Sequence, residues 1–409
     1  MSDKKTLAYI NLDGKDFFVG TMWSHFSRGK ETSDFEYSSQ WLKNKDSFSL
    51  QPALFLGAGK QVNARRMPMF GAFGDSAPDT WGRMLMRRYE AQLAKKEARQ
   101  TRTLNEIDYL LFVCDYARQG ALRFKEEEDG DFLYPGTIKS IPPLVKLAEL
   151  LHSAEKIVSS TEKEKELAML MMPGSSLGGA RPKASVIDKQ GNLCIAKFPK
   201  KDDDTNNTAW EAAALILAEK CGLNVQKWTL ENVGKKRVLI LQRFDRKGQK
   251  RIPFLSAMSM INAIDNDVQP HSYIEIAEAI KMYGAAPEKD MLELWKRIVF
   301  SIAISNTDDH LRNHGFLYAG RKGWNLSPLY DIVPRNDGKN MLSLCITEDD
   351  NSQDFELALE AAEYFGIKLN QAKEITADIK KNVKNWRNAA RQLGLKKPEI
   401  DKMAMAFKV

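Results

Sequence analysis

The pattern of apolar and polar positions opens on β structure. Leu7-Ala8-Tyr9-Ile10-Asn11-Leu12 and Phe17-Phe18-Val19-Gly20 flank Asp13-Gly14, a pair suited to the positive φ angles of a tight hairpin. From Phe35 to Leu50 the alternation is short and strand-like. Gly74-Asp75-Ser76-Ala77-Pro78-Asp79 then predicts the start of a helix capped by Asp75 or Ser76, running from about Asp79 to Gln100. A second helix is predicted from about Leu104 to Cys114, and a strand over Gly120–Phe124. The acidic, Pro- and Gly-punctuated stretch Glu126–Pro143 reads as a boundary. Beyond it, Leu144 to Met172 carries a helical stripe of Leu147, Leu150, Leu151 and Val158, stopped by Pro173-Gly174.

The next block reads strand, turn, strand, helix, strand, turn, strand. Ala184–Ile187 and Leu193–Phe198 pair across residues 188–192; Thr208–Cys221 is a helix stopped by Gly222; Val225–Leu230 and Arg237–Gln242 flank Gly234. Past Phe244 long helices take over, at about Ser272–Met282 and Lys289–Ser305. A short hairpin follows (Gly315–Tyr318 with Trp324–Pro328), then a helical tail from about Gln353 to Lys408. The pattern predicts an α+β protein in three parts: a β-rich subdomain over 1–125, the rest of an N-terminal lobe over 126–244, and a large helical C-terminal lobe over 245–409. A β-rich lobe leading into a helical one is one way to build an ATP cleft.

The densest polar signal is Ser305-Asn306-Thr307-Asp308-Asp309-His310-Leu311-Arg312-Asn313. An apolar helix bearing Leu292, Leu294, Ile298, Val299 and Ile302 delivers the chain straight into it. Asp308 and Asn313 have the D-x-x-x-x-N spacing of phosphotransferase catalytic loops. There a carboxylate accepts or orients the proton of the attacking hydroxyl, and an amide oxygen reaches a Mg²⁺ that bridges phosphates. Leu326-Ser327-Pro328-Leu329-Tyr330-Asp331 supplies an apolar strand ending in a second acid for the metal. His310 and His314 stand four apart, but a zinc helix would need Glu where Leu311 stands; His310 is expected to brace the loop.

Three further segments fit the same chemistry. Gly174-Ser175-Ser176-Leu177-Gly178-Gly179-Ala180-Arg181-Pro182-Lys183 precedes a strand, as a loop covering phosphates would. Taken alone it is also an ordinary flexible loop. Lys197, in Cys194-Ile195-Ala196-Lys197-Phe198, is placed to hold phosphates, with Glu211 early on the next helix to orient it; an edge-strand lysine and a helix-start acid are the plainer alternatives. Leu239 to Arg246 ends the small lobe, either as a hinge reading adenine through backbone groups or as a salt-bridged Arg-Phe-Asp-Arg turn.

In order along the chain, these residues resemble the HipA family of serine/threonine kinases, toxins of bacterial toxin–antitoxin pairs. The resemblance rests on Phe73–Asp79, Ser176–Lys183, Ala196-Lys197-Phe198, Gln242–Arg246, Asp308–Asn313 and Tyr330-Asp331. It implies a protein-kinase-like fold with a β-rich N-terminal lobe and an all-helical C-terminal lobe. It implies Asp308 as the catalytic aspartate, Asn313 and Asp331 as Mg²⁺ ligands, and Glu211 as the residue orienting the lysine. The ATP-binding residues it implies are Gly178, Gly179, Ala180, Arg181, Lys183, Lys197, Gln242, Arg243, Phe244, His310 and Tyr330. Ser176 matches the family's autophosphorylated serine, with Ser175 as the neighbouring alternative; phosphorylation there expels the loop and silences the enzyme. The implied substrate is a protein such as an aminoacyl-tRNA synthetase. The implied partner is a HipB-like DNA-binding antitoxin, with DNA engaged only through it. Departures at Arg181-Pro182 and Gln242 bear on regulation and target more than on fold. A small-molecule kinase on the same scaffold and a non-catalytic corepressor are the competing readings.

Composition narrows the class without choosing within it. Hydrophobic residues make up 43% and charged residues 28% of 409, the balance of a globular chain with sizeable cores. Net charge is +7, from 61 basic and 54 acidic residues, a mildly basic surface that permits an acidic partner without requiring one. No apolar run approaches 18 residues, and Met1–Lys5 lacks a signal-like apolar stretch, so the expected location is the cytoplasm. Cys114, Cys194, Cys221 and Cys345 are far apart and read as reduced core thiols.

Overall fold

A computed structural model describes residues 3–63, 67–134, 136, 138–174, 176, 178–200, 203–265, 267 and 269–409. The chain divides into two compact units. The first comprises Met1–Asp202 and Asn232–Leu255, the second Asp203–Glu231 and Ser256–Val409.

In the first unit, β1 (Lys4–Leu12), β2 (Lys15–Ser27), β3 (Lys30–Tyr37), β4 (Lys60–Val62) and β5 (Leu122–Lys125) form an antiparallel sheet in the order β4-β3-β2-β1-β5. Leu12 pairs with Lys15, and Asp13 and Gly14 both take positive φ (50° and 84°), so the predicted hairpin forms with the twist this turn favours. The predicted alternation over Phe35–Leu50 departs from the structure. β2 runs on to Ser27 and turns at Arg28-Gly29 (φ 50° and 76°), and the strand ends at Tyr37, where Ser38 caps the short helix Ser39–Leu42.

Helix Thr80–Lys96 is capped by Asp79 and not by Asp75 or Ser76. The short helix Gly71–Gly74 has already taken the earlier residues, and the Ser76 carbonyl is held by Arg118 at 3.1 Å. The predicted second helix is shorter than expected, Glu106–Leu111, with the Glu31 carboxylate accepting from its first two amides at 2.7 and 3.0 Å. The single helix expected over 144–172 is two, Leu147–Val158 and Glu164–Gly174, because the polar run between them takes a left-handed residue at Ser160 (φ 54°). Both pack on β6 (Lys183–Ile187), β7 (Leu193–Lys197) and β9 (Lys236–Gln242). Their shared core joins Leu85, Leu150, Leu167, Leu170, Val186 and Ile240. Between β7 and β9 in sequence, β8 (Trp228–Val233) carries the chain back from the second unit.

A buried charged cluster ties residues 115–123 to 243–251. Arg243 donates to both Asp245 oxygens at 2.8 and 2.5 Å and to the carbonyls of Ala117 and Arg118. Arg246 adds 2.7 Å to Asp245, and Gly120 N–H donates to the same carboxylate at 2.8 Å. Burial alone would raise the Asp245 carboxyl, but Arg243 and Arg246 outweigh it and hold it at about 2. Burial pushes the Arg246 guanidinium down to about 9, still charged at neutral pH.

At the sheet's solvent side His25 lies between Asp3 (2.8 Å) and Asp34 (3.1 Å). The hydrogen bond to Asp3, opposed by partial desolvation and aided by Asp34, raises the imidazole above its ordinary value. A raised folded-state value contributes stability in full below the unfolded histidine's ~6.5, and that contribution is lost as pH rises through the folded value. Wild type is expected to lose no more than about 2 °C of Tm from this site between pH 6 and 9. In His25→Gln that pH-dependent part is expected to vanish, read as the difference between the two proteins' Tm–pH curves.

The second unit is mostly helical and carries the predicted hairpin, Gly315–Tyr318 paired with Trp324–Leu326. Its axis is helix Pro287–Ala303, in which Leu294, Trp295, Ile298, Val299 and Ile302 are fully buried and Trp295 Nε1 donates to the Ala358 carbonyl at 2.8 Å. Around it lie helices Tyr273–Tyr283, Asn207–Lys220, Leu369–Val383 and Trp386–Gln392. Trp386 stacks on Phe407 (4.2 Å, 3°), with Trp210 tilted against both. All four cysteines are buried thiols, and burial pushes Cys194 and Cys221 up to about 12. Among the described residues no helix is long and apolar enough to cross a membrane.

Candidate active site

The end of helix Pro287–Ala303 decides the loop that follows. Ile304, the C-cap, is fully buried, and Ser305 takes a left-handed φ of 48°, which breaks the helix. Asn306 folds back, its N–H donating to the Ser301 carbonyl at 2.9 Å. Asp308 and His310 face solvent while Asp309, Leu311 and Asn313 turn inward. Residues 311–313 form one 3₁₀ turn, and Asn313 Nδ2 donates to the Asp308 carbonyl at 2.9 Å. That bond fixes the amide with Oδ1 as its remaining acceptor. The Asp308 carboxylate meets the Arg335 guanidinium at 2.5 Å.

Asp331 follows the hairpin and Leu329, which is tied to Asn224 by a 2.7 Å backbone bond. Its φ of 59° is left-handed, a conformation aspartate tolerates better than most side chains. The segment around it is sewn to the catalytic-type loop at several points. Tyr330 Oη donates to the Arg312 carbonyl at 2.7 Å; Val333 N–H donates to Asn306 Oδ1 at 3.3 Å; Arg335 N–H donates to the Ser305 carbonyl at 3.1 Å. So Asp308, Asn313 and Asp331, expected to act together, belong to two strands of loop held side by side.

Beneath the loop is a polar network the sequence did not point to. Asp309, 2% exposed, accepts from Tyr273 Oη at 2.7 Å and Ser301 Oγ at 3.2 Å, and His314 Nε2 lies 3.0 Å from its other oxygen. Burial pushes the Asp309 carboxyl up, yet His314 and Tyr273 more than offset this and hold it below the ordinary aspartate value. Bracing therefore falls to His314, which is fully buried against Tyr273 (5.6 Å, edge-on). The expectation that the His310 ring braces the loop is corrected: that ring is exposed, and its residue contributes only a carbonyl to Asn313 N–H at 2.8 Å. Glu211, on helix Asn207–Lys220, is 4% exposed in the same unit.

In the first unit the Gly-rich loop is docked on the start of helix Thr80–Lys96. Gly179 N–H donates to Asp79 Oδ2 at 2.9 Å, Trp81 N–H donates to the Gly179 carbonyl at 3.2 Å, and Trp81 Nε1 donates to the Lys183 carbonyl at 2.9 Å. Gly179 has φ +80°, a left-handed conformation that favours glycine, and the loop returns there close to the end of the Lys183 side chain. Lys183 Nζ also donates to the Gly178 carbonyl. Gly178 and Ala180 are exposed, and Arg181 is half-buried. Ser176 is 2% exposed, and its hydroxyl has no partner among the described residues; Ser175 lies outside them. Lys197 ends β7, 8% exposed, paired in register with Lys183 on one side and Leu239 on the other. Gln242 ends β9 opposite Cys194, and Phe244 packs on Phe254 (6.1 Å). All three guanidinium nitrogens of Arg243 are engaged inside the buried cluster.

Oxygen donors such as Asn313 Oδ1 and the Asp331 carboxylate suit a hard cation. Among the described residues no three His, Cys, Asp or Glu side chains cluster as a self-sufficient metal cage.

The HipA-like C-terminal domain family matches residues 175–387, more than half of the 409-residue chain, and the chain belongs to that family. A putative kinase of Haemophilus influenzae is 27% identical over 182 residues, covering 39% of this chain and 52% of that protein. Putative kinase Y4dM of Sinorhizobium fredii is 25% identical over 150 residues, covering 33% of this chain and 36% of that one. The chain thus spans about half the length, or less, of these curated relatives. HipA of Shewanella oneidensis MR-1, solved with HipB and operator DNA, shares the α+β fold at a TM-score of 0.67 over 98% of this chain and 94% of that one, at 16% identity.

Proposed function

We propose that this chain is an ATP-dependent serine/threonine protein kinase of the HipA type. The observation that carries the reading is the lacing of residues 330–335 to 305–312, which brings an acid with an open carboxylate oxygen, a fixed amide and a second acid onto adjoining loops. Bound Mg·ATP supplies the γ-phosphoryl group and the cation that offsets its charge. Asp308 accepts or orients the proton of the acceptor hydroxyl, using the carboxylate oxygen not engaged by Arg335. Asn313 and Asp331 hold the cation, and the Asp309–Tyr273–His314 network keeps the loop from relaxing. Gly178 to Lys183 are the proposed phosphate-covering loop, Lys197 the proposed phosphate-contacting lysine and Glu211 the proposed lysine-orienting acid. Gln242, Arg243 and Phe244 contribute at the adenine through backbone groups. His310 and the Tyr330 ring complete the nucleotide contacts.

Ser176, or Ser175, is the proposed autophosphorylation site. The Ser176 hydroxyl is buried in the docked loop, so it has to leave that position to accept phosphate. A group of about −2 charge would then be opposed from returning by the cost of desolvating it. The proposed protein substrate is a translation component such as an aminoacyl-tRNA synthetase. The proposed partner is a HipB-like antitoxin through which DNA is engaged, a reading supported by the fold shared with a HipA solved beside HipB and operator DNA. After incubation with Mg·ATP, peptide mass spectrometry is expected to find phosphate on Ser176 or Ser175 in most molecules, and on neither in Asp308→Ala. Wild type free of phosphate on both serines would contradict this reading.

A further inference from the structure

We propose that Arg335 is a positioning residue that fixes the Asp308 carboxylate for the acceptor hydroxyl; this rests on the reading of Asp308 as the catalytic aspartate. Asp308 is exposed on its loop, and a half-exposed aspartate (53% for its side chain) would otherwise sample several rotamers. Arg335 Nη2 holds Oδ2 at 2.5 Å, and Oδ1 accepts from none of the described residues. One oxygen is therefore held and the other presented.

The guanidinium is itself on a fixed mount. Arg335 N–H is bonded to the Ser305 carbonyl at 3.1 Å; Asn336 Nδ2 donates to the Lys402 carbonyl at 2.5 Å; Asp337 accepts from Thr307 Oγ1 at 3.3 Å. Asp337 and Lys339 are the other charged side chains on that stretch. Asp337 is turned to Thr307 and to the Lys339 amide, leaving the Arg335 guanidinium as the cation on Asp308. A half-exposed ion pair contributes little to folding. Its consequence here is geometric: displacing a reacting group by about 1 Å costs rate on the order of a hundredfold.

The test uses the full chain with Mg·ATP as the only added substrate, following covalent phosphate by intact mass across ATP concentrations. Arg335→Ala is expected to slow incorporation at saturating ATP by about tenfold to a hundredfold. The half-maximal ATP concentration and Tm are expected to stay at wild-type values. Arg335→Lys, which keeps a cation within reach of Oδ2, is expected to recover most of the rate. The inference is overturned by an Arg335→Ala rate equal to wild type, by Ala and Lys variants that are equally slow, or by a loss that appears in half-maximal ATP or in Tm instead. The underlying reading fails separately: in that case wild type incorporates no phosphate, or Asp308→Ala matches wild type.

Discussion

Replacing Asp308 by alanine is expected to slow phosphoryl transfer from Mg·ATP by about a hundredfold to ten-thousandfold, the usual worth of a positioned acid–base group. The fold should hardly notice. The carboxylate is half-exposed, its one side-chain partner among the described residues is Arg335, and an exposed pair of that kind is worth at most about 1 kcal/mol. Time courses of covalent phosphate for wild type and Asp308→Ala, beside their melting curves, separate the two quantities. A variant within tenfold of wild type would remove Asp308 from the chemistry.

The second large effect is on stability and lies in the first unit. Asp245→Ala is expected to destabilise that unit by about 3–5 kcal/mol, because it strands Arg243 and Arg246 with their charges buried. A loss of that size is a large share of a domain's typical 5–15 kcal/mol. Calorimetry should show the transition of the first unit lowered or lost at 37 °C. The same cluster gives a pH prediction of definite sign. Asp245 is held at about 2, below the ordinary carboxylate, so its contribution is complete above ~4 and is lost as pH falls toward 2. Asp245→Ala should lack that part of the acid transition. A variant that melts with wild type would mean the cluster relaxes or hydrates more easily than its burial suggests.

What the sequence made legible was local. Asp13-Gly14, Gly222 and the apolar helix running into Ser305 each announce themselves within a few residues, and each lies where its chemistry requires. The pairing of β6 with β7 and the short hairpin after residue 314 were readable for the same reason. The Arg28-Gly29 turn was not, since arginine is an uncommon residue at positive φ. The break at 159–163 was hidden because apolar residues resume at Leu167 and Leu170 on a stripe that a continuous helix could also carry.

At the candidate site the D-x-x-x-x-N spacing pointed to Asp308 and Asn313, and the strand end pointed to Asp331. Their supports came from afar: Tyr273 is 36 residues from Asp309 in sequence, and Arg335 is 27 from Asp308. Pairings of that range leave no periodic trace. Two histidines four apart looked alike in sequence, and only burial separates the bracing His314 from the exposed His310. The turn around Asp245 was legible as a salt-bridged alternative, but its carbonyl partners at Ala117 and Arg118 lie more than a hundred residues away.

The central claim is that an amide at 313 and an acid at 331 hold the cation of a bound nucleotide. Isothermal titration with ATP, with and without Mg²⁺, on wild type, Asn313→Ala and Asp331→Ala tests it most directly. The account predicts binding by wild type that strengthens markedly with Mg²⁺, and loss of that Mg²⁺-dependent part in either variant. Wild type that does not bind ATP, or variants whose Mg²⁺ dependence equals wild type, would contradict it.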